Sequence, residues 1–146
     1  MDKEVFRELV KFYGEAFNLP PLAAKIYGYL IFDFNRKGVA FDEFVDVFAV
    51  SKSSVSSNVN LLLNLNLISD FNKIDERKRF FVVNQNYMKI RFQEILARMK
   101  KELSLMDQLR VIAAAQDQPP EEKHNICREF FTENIKSLQE TIDKLP

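Results

Sequence analysis

The sequence predicts a mainly α-helical fold built around a helix-turn-helix and a basic β-hairpin, with further helices before and after. Three observations carry this. Only 3 Gly and 5 Pro interrupt 146 residues, which leaves room for long unbroken elements. Between Phe41 and Leu62, two short stretches of helical spacing stand either side of a Val50-Ser51 turn, and the second has a polar face made almost wholly of Ser, Asn and Lys. Directly afterwards comes a hairpin pattern with a basic segment, Lys73 to Arg79. With 47% hydrophobic residues and 14 Phe the chain has the means to build a core, which excludes a disordered tail. Its length fits one domain, or a small domain with helical extensions.

The elements follow in order. Phe6, Leu9, Tyr13 and Phe17 fall on one helical face of residues 2–17. Asn18-Leu19-Pro20-Pro21 breaks the chain and opens a second helix, because proline's missing N–H is tolerated in a first turn. That helix is expected to reach Phe34, burying Leu22, Ile26, Tyr27, Leu30 and Phe34. Asn35 to Gly38 reads as a turn and Val39 to Phe41 as a short strand. Residues 42–48 form the first helix of the motif, with Phe44, Val47 and Phe48 inward. The second runs from Ser51 to about Leu65 and buries Val55, Val59 and Leu62. Ser51 is a suitable N-cap, since its hydroxyl accepts from an unpaired backbone N–H, and Asn66 suits the left-handed residue that often ends a helix. Leu67 to Phe71 and Arg79 to Val83 read as strands around Asn72 to Lys78. Met88, Phe92, Ile95, Met99, Leu103, Met106 and Leu109 sustain a helix of about 45 Å. After Pro119-Pro120, Phe131, Ile135, Leu138, Ile142 and Leu145 form a two-heptad seam.

Charge and composition narrow the function. Net charge is zero, yet residues 20–91 carry 10 Lys/Arg against 7 Asp/Glu, while residues 1–19 carry 3 against 4 and residues 92–146 carry 8 against 10. Mild positive charge thus sits on the central motif. One cysteine, Cys127, excludes a disulfide framework or a cysteine-based zinc site. A redox role for it, or metal ligation by His124, stands against simple packing, which is the commoner fate of a lone cysteine. No glycine-rich phosphate loop or metal-ligand spacing occurs, so neither an enzyme nor a bound cofactor is expected. No apolar run reaches the ~18–20 residues of a membrane span, and Met1-Asp2-Lys3-Glu4 has no signal-peptide character. A cytoplasmic setting is expected.

The order helix, helix, helix-turn-helix, wing, long helix resembles the winged-helix regulators of the MarR family, most closely their GbsR-like branch. Leu19 to Leu30 is similar to that branch's LPPLAGRIYGYL-type segment, and Val50 to Ser56 resembles its VSKGSVS-type opening of the recognition helix. Leu65-Asn66-Leu67-Ile68 and Glu76 to Phe81 resemble its LGLV and ERKRYY-like wing. The likeness spans about residues 8–85. Val45 and Ala49 depart from the small residue and Gly common there, and Ala40 stands where a capping Ser or Thr is usual, a change worth about 1 kcal/mol. Residues 92–146 match only as an amphipathic extension.

These readings give an expected organisation: a dimerisation helix over 1–18, a winged helix-turn-helix DNA-binding domain of three helices and a β-hairpin over 19–85, and C-terminal dimerisation helices over 86–146. Lys52, Ser53, Ser54, Ser56, Ser57, Asn58 and Asn60 form the candidate groove-reading face, with Asn58 able to pair bidentately with adenine. Lys73, Arg77, Lys78 and Arg79 are the candidate wing contacts, Arg77 foremost on the premise of alternation along the second strand. Asp75 and Glu76 dilute that field, and the plain alternatives are a solvated polar face and a hairpin charged against edge pairing. Phe6, Leu9 and Tyr13, with Phe131, Ile135, Leu138, Ile142 and Leu145, are the candidate dimer contacts; packing within one chain is the alternative. The resemblance also implies a small-molecule effector of the choline type, held by aromatic faces. Tyr13, Tyr27, Tyr29 and Tyr87 are the candidates, against the alternative that they are core. The expected function is sequence-specific binding of double-stranded DNA by a homodimeric transcriptional regulator, a repressor on a pseudo-palindromic operator. The competing class is a winged-helix module used only for protein–protein contact.

Overall fold

Asp2 begins the first helix: its carboxylate accepts the backbone N–H groups of Glu4 and Val5 at 3.0 and 3.1 Å, filling two donors that a helix start leaves unpaired. This helix, α1, spans Lys3–Ala16 in a computed structural model that describes residues 1–74 and 76–146. Asn18 turns the chain with a left-handed φ of 51°, and Pro21 opens α2, Pro21–Ile31. Gly28 of α2 lies under α1. A Cβ there would come within 3.1 Å of the Phe6 ring and 3.3 Å of Val10, so the absent side chain sets how closely the two helices approach.

The rest of the motif follows as β1 (Val39–Ala40), α3 (Phe41–Phe48) and α4 (Lys52–Asn64), then β2 (Ile68–Asn72) and β3 (Arg79–Val83). The three strands form an antiparallel sheet in the order β1-β3-β2. Val39 pairs with Phe81 and Asn72 with Arg79, so the hairpin connection is Lys73 to Lys78. Helices α5 (Tyr87–Ala115) and α6 (Glu122–Lys144) complete the six helices among the described residues. The chain divides into two compact units, Met1–Tyr87 and Met88–Pro146, and α1 belongs to the first.

The core of the first unit is built on α2. Ile26, Tyr27 and Leu30 pack with Phe44 of α3, Val55, Val59 and Leu62 of α4, and Phe81 of β3, all with essentially no solvent exposure. The i, i+4, i+7 stripe expected of α4 is the one buried. Two expected core residues are not. Phe34 is 77% exposed, because α2 ends at Ile31 and the helical spacing that placed Phe34 inward stops with it. Val47 is 48% exposed. The covered stripe of α3 is Phe41, Phe44, Val45 and Phe48, an i, i+3, i+4, i+7 set that leaves Val47 on the outer side.

Ala49 ends α3 at φ 50° and ψ 50°, a left-handed conformation that disfavours a Cβ. Ala40 at the other end makes no side-chain cap bond, and Asp42 and Glu43 in the first turn supply the negative charge that a helix start favours. Asn66 takes the left-handed φ of 59° expected of it. Among the described residues no helix is long and apolar enough to cross a membrane, and no cluster of His, Cys, Asp or Glu is arranged to hold a metal ion.

Candidate nucleic-acid interface

Ser51 caps α4 as its sequence suggests. Its Oγ accepts the backbone N–H of Ser54 at 3.2 Å and donates to the Ser54 hydroxyl at 2.9 Å. With Val55, Val59 and Leu62 sunk into the core, the remaining face of α4 is fixed in rotation. Lys52, Ser53, Ser54, Ser56, Ser57 and Asn60 are exposed on it. Asn58 is half-buried, and its amide N–H group donates to the Ser54 carbonyl at 2.7 Å. One of the two amide N–H groups of Asn58 is thus engaged within the helix; a bidentate contact with adenine would draw on the other N–H and the oxygen.

The hairpin treats its cations unequally. Arg79 donates from Nε and Nη2 to Asp70 at 3.0 and 2.7 Å, and its guanidinium lies 5.1 Å from the Phe81 ring centroid. Asp70 is opposite Phe81, two residues along from Arg79, so this is a diagonal cross-strand ion pair. Opposite charges on neighbouring strands were visible in the sequence; the register that joins them was not. Lys73 sets its ammonium 4.2 Å from the Phe80 ring centroid, which fixes it by a cation–π contact. Asn72 donates to the carbonyls of Arg77 and Lys78, tying the connection to the end of β2. Arg77 precedes β3 rather than lying in it, so strand alternation does not set its direction. Arg77 and Lys78 are exposed and form no ion pair among the described residues. Asp75, expected to dilute the wing's charge, lies outside the described residues.

The aromatic candidates separate into two places. Tyr13, Tyr27 and Tyr87 come together: Tyr13 meets Tyr27 edge-on at 5.0 Å and Tyr27 meets Tyr87 at 6.4 Å, with Phe17 stacked on Tyr13. Tyr27 is fully buried in this cluster. Tyr29 stands apart, its ring edge-on to Phe44 and Phe48. Its hydroxyl donates to Glu43 at 2.7 Å, and that bond, with burial and the negative charges of Glu43 and Asp33, pushes its pKa up to about 12. Sequence spacing gave no sign of this contact between α2 and α3.

The candidate dimer residues also divide. Phe6 covers Gly28 and meets Phe32 at a tilt of 55° with the ring centroids 6.4 Å apart, and Tyr13 belongs to the aromatic cluster, so both are used within the first unit. Leu9 is half-buried. On α6, Phe131, Ile135, Leu138 and Leu145 are half-buried and Ile142 is buried. The heptad seam is thus the covered side of α6, in keeping with the alternative of packing within one chain. Arg128 of α6 forms a bidentate pair with Asp107 of α5 at 2.9 and 3.2 Å and holds that carboxyl below the usual carboxylate range. Cys127 is half-buried.

The chain is similar to a crystal structure of a transcriptional regulator, at 21% identity over 95% of this chain and 96% of that one, with a TM-score of 0.55. It is also matched by the S. aureus MepR–DNA complex, at 15% identity over 77% and 93% of the two chains and a TM-score of 0.48. A mutant MepR from a multidrug-resistant S. aureus clinical isolate matches at 18% identity over 93% and 91%, with a TM-score of 0.47. No protein-family model matches this chain, and no curated protein sequence matches it. The likeness to the first structure shows the fold alone: mainly helical, with a small antiparallel sheet, in a winged-helix arrangement.

Proposed function

We propose that this chain is a sequence-specific DNA-binding transcriptional regulator of the MarR type, in its GbsR-like branch. In this reading it acts as a homodimeric repressor on a pseudo-palindromic operator and is released by a small ligand. The observation that carries the proposal is α4. Its apolar stripe is wholly buried, its cap is formed, and the side left outward carries, Lys52 apart, short donors and acceptors instead of the long charged side chains of an ordinary solvated helix. Such a face suits base edges in the major groove, and a hairpin with Arg77 and Lys78 exposed suits the adjoining backbone. The resemblance of Leu19 to Leu30 and Val50 to Ser56 supports the branch, and the apolar residues exposed on α5 and α6 support a second copy.

Zero net charge and the Arg79–Asp70 pair favour the competing reading, a winged-helix module for protein contact. Selection of bound sites from random duplexes, followed by titration at two salt concentrations, separates the two. A DNA regulator yields a motif with two-fold character and loses affinity steeply with salt, by about 0.9 log units per log unit of salt for each phosphate neutralised. An interaction module yields neither. Arg77→Ala is expected to reduce the salt slope by about one.

A further inference from the structure

Away from α4 and the hairpin, the first unit contains a cavity of about 620 Å³ between the start of α1, the end of α2, the loop after it and α3. That volume lies within the range of small-molecule pockets. Its apolar wall is aromatic, made by Tyr29, Phe32 and Phe34, with the two Phe rings 5.8 Å apart and tilted by 55°. Phe34 is placed here by the early end of α2 and has no role in the core. The polar side is mainly acidic: Asp2, Asp33 and Glu43 line it against two cationic residues, Lys37 and Met1 with its terminal amine. Asp33 accepts the backbone N–H groups of Lys37 and Gly38 at 3.2 and 2.9 Å, and Glu43 accepts the Tyr29 hydroxyl. Each carboxylate has about four acceptor positions, so both retain capacity for a further donor.

We propose that this cavity binds a primary or secondary ammonium group carried on an aromatic or apolar body. Carboxylates and ring faces together favour a cation, and the carboxylate lone pairs favour one with N–H bonds to give. A quaternary ammonium offers none, and an anion of the same size meets three carboxylates against the two cations of Lys37 and Met1. The site also spans a junction that matters to the proposed function: Tyr29 and Asp33 belong to α2 and its following loop, while Glu43 belongs to α3, the first helix of the motif. A ligand drawing on Glu43 therefore acts on the α2–α3 contact that supports α4. By linkage, cation and DNA then alter each other's affinity by the same factor; this consequence rests on the DNA-binding reading.

The test is calorimetric titration of the full chain, without DNA, by 2-phenylethylamine, its N,N,N-trimethyl analogue, 2-phenylethanol and 3-phenylpropionate. The amine is expected to bind, the trimethyl analogue more weakly, and the alcohol and acid not at all. Glu43→Gln keeps an acceptor for Tyr29, and Phe34→Ala removes an exposed ring; each is expected to weaken the amine about fivefold or more. Lys37→Glu, on the exposed rim, is expected to tighten it, and covers the case in which either of the others melts early. Absence of amine binding at roughly millimolar concentration, equal binding of the alcohol, acid or trimethyl analogue, or unchanged affinity in folded variants would overturn the proposal. DNA affinity of the same samples is measured separately. Amine binding without DNA binding supports the cavity and rejects the regulator, DNA binding without amine binding does the reverse, and both without mutual effect overturn the coupling alone.

Discussion

The two units bury apolar side chains very differently. In the first, α2 is enclosed by α3, α4 and β3, and Tyr27, Phe44 and Phe81 are sealed from solvent. In the second, Leu96 and Ile142 are the buried apolar residues among those described, while Leu109, Val111, Ile112, Ile126 and Phe130 stay more than half exposed. Two helices of this length with so little enclosed surface gain little from hydrophobic burial. The difference separates a folding problem solved within one chain from one that the proposed homodimer would complete.

Phe44→Ala should break the first unit most severely. It removes a fully buried ring, and a loss of about 3–5 kcal/mol is expected, visible as a large fall in the urea midpoint. Phe130→Ala tests the other side of the comparison. On the dimer reading it weakens association at least about tenfold, or ~1.4 kcal/mol, by sedimentation equilibrium, while the monomer's stability barely moves. A monomer as destabilised as Phe44→Ala would erase the contrast.

Smaller changes probe how the first unit is pinned. Gly38 has φ 88°, and a Cβ there would meet the Phe71 ring at 2.6 Å; Gly38→Ala should cost about 1–2 kcal/mol. Ala49→Gly relieves the left-handed alanine between α3 and α4 and should stabilise by roughly 1 kcal/mol. The smallest effect concerns pH. Tyr29 titrates near 12 in the folded chain against 10.0 ordinarily, so its stabilising contribution is complete below pH 10 and disappears as pH rises toward 12. Phenolate absorbance should lose a late-titrating component in Tyr29→Phe.

Much of this architecture was legible because local chemistry and global packing agree. Ser51 as a cap, Asn66 as a left-handed stop and the Val55, Val59, Leu62 stripe each follow from short-range rules that the tertiary structure does not override. Periodicity misleads where a helix ends early, as before Phe34, or where two stripes compete, as at Val47. The contacts that give the candidate surfaces their detail were out of reach for another reason. Arg79 with Asp70 depends on strand register, Tyr29 with Glu43 on the docking of two helices, and Asn58 with Ser54 on a side-chain choice among several open to it. Residue spacing determines which side of an element is covered; it does not say which polar group finds which.

One of those contacts has a consequence for ionic strength. Arg79 arrives at any polyanion already carrying a resident counter-ion, the Asp70 carboxylate at 2.7 Å. A phosphate that takes the guanidinium leaves that carboxylate to recruit a cation from solution, so the exchange sheds fewer small ions overall than contact by an unpaired arginine. On the DNA-binding reading, the measured salt slope should then undercount the cations at the interface, with Asp70→Asn steepening it. The hairpin would behave as a buffered contact, tuned to hold its grip across a wider range of salt than its basic sequence implies.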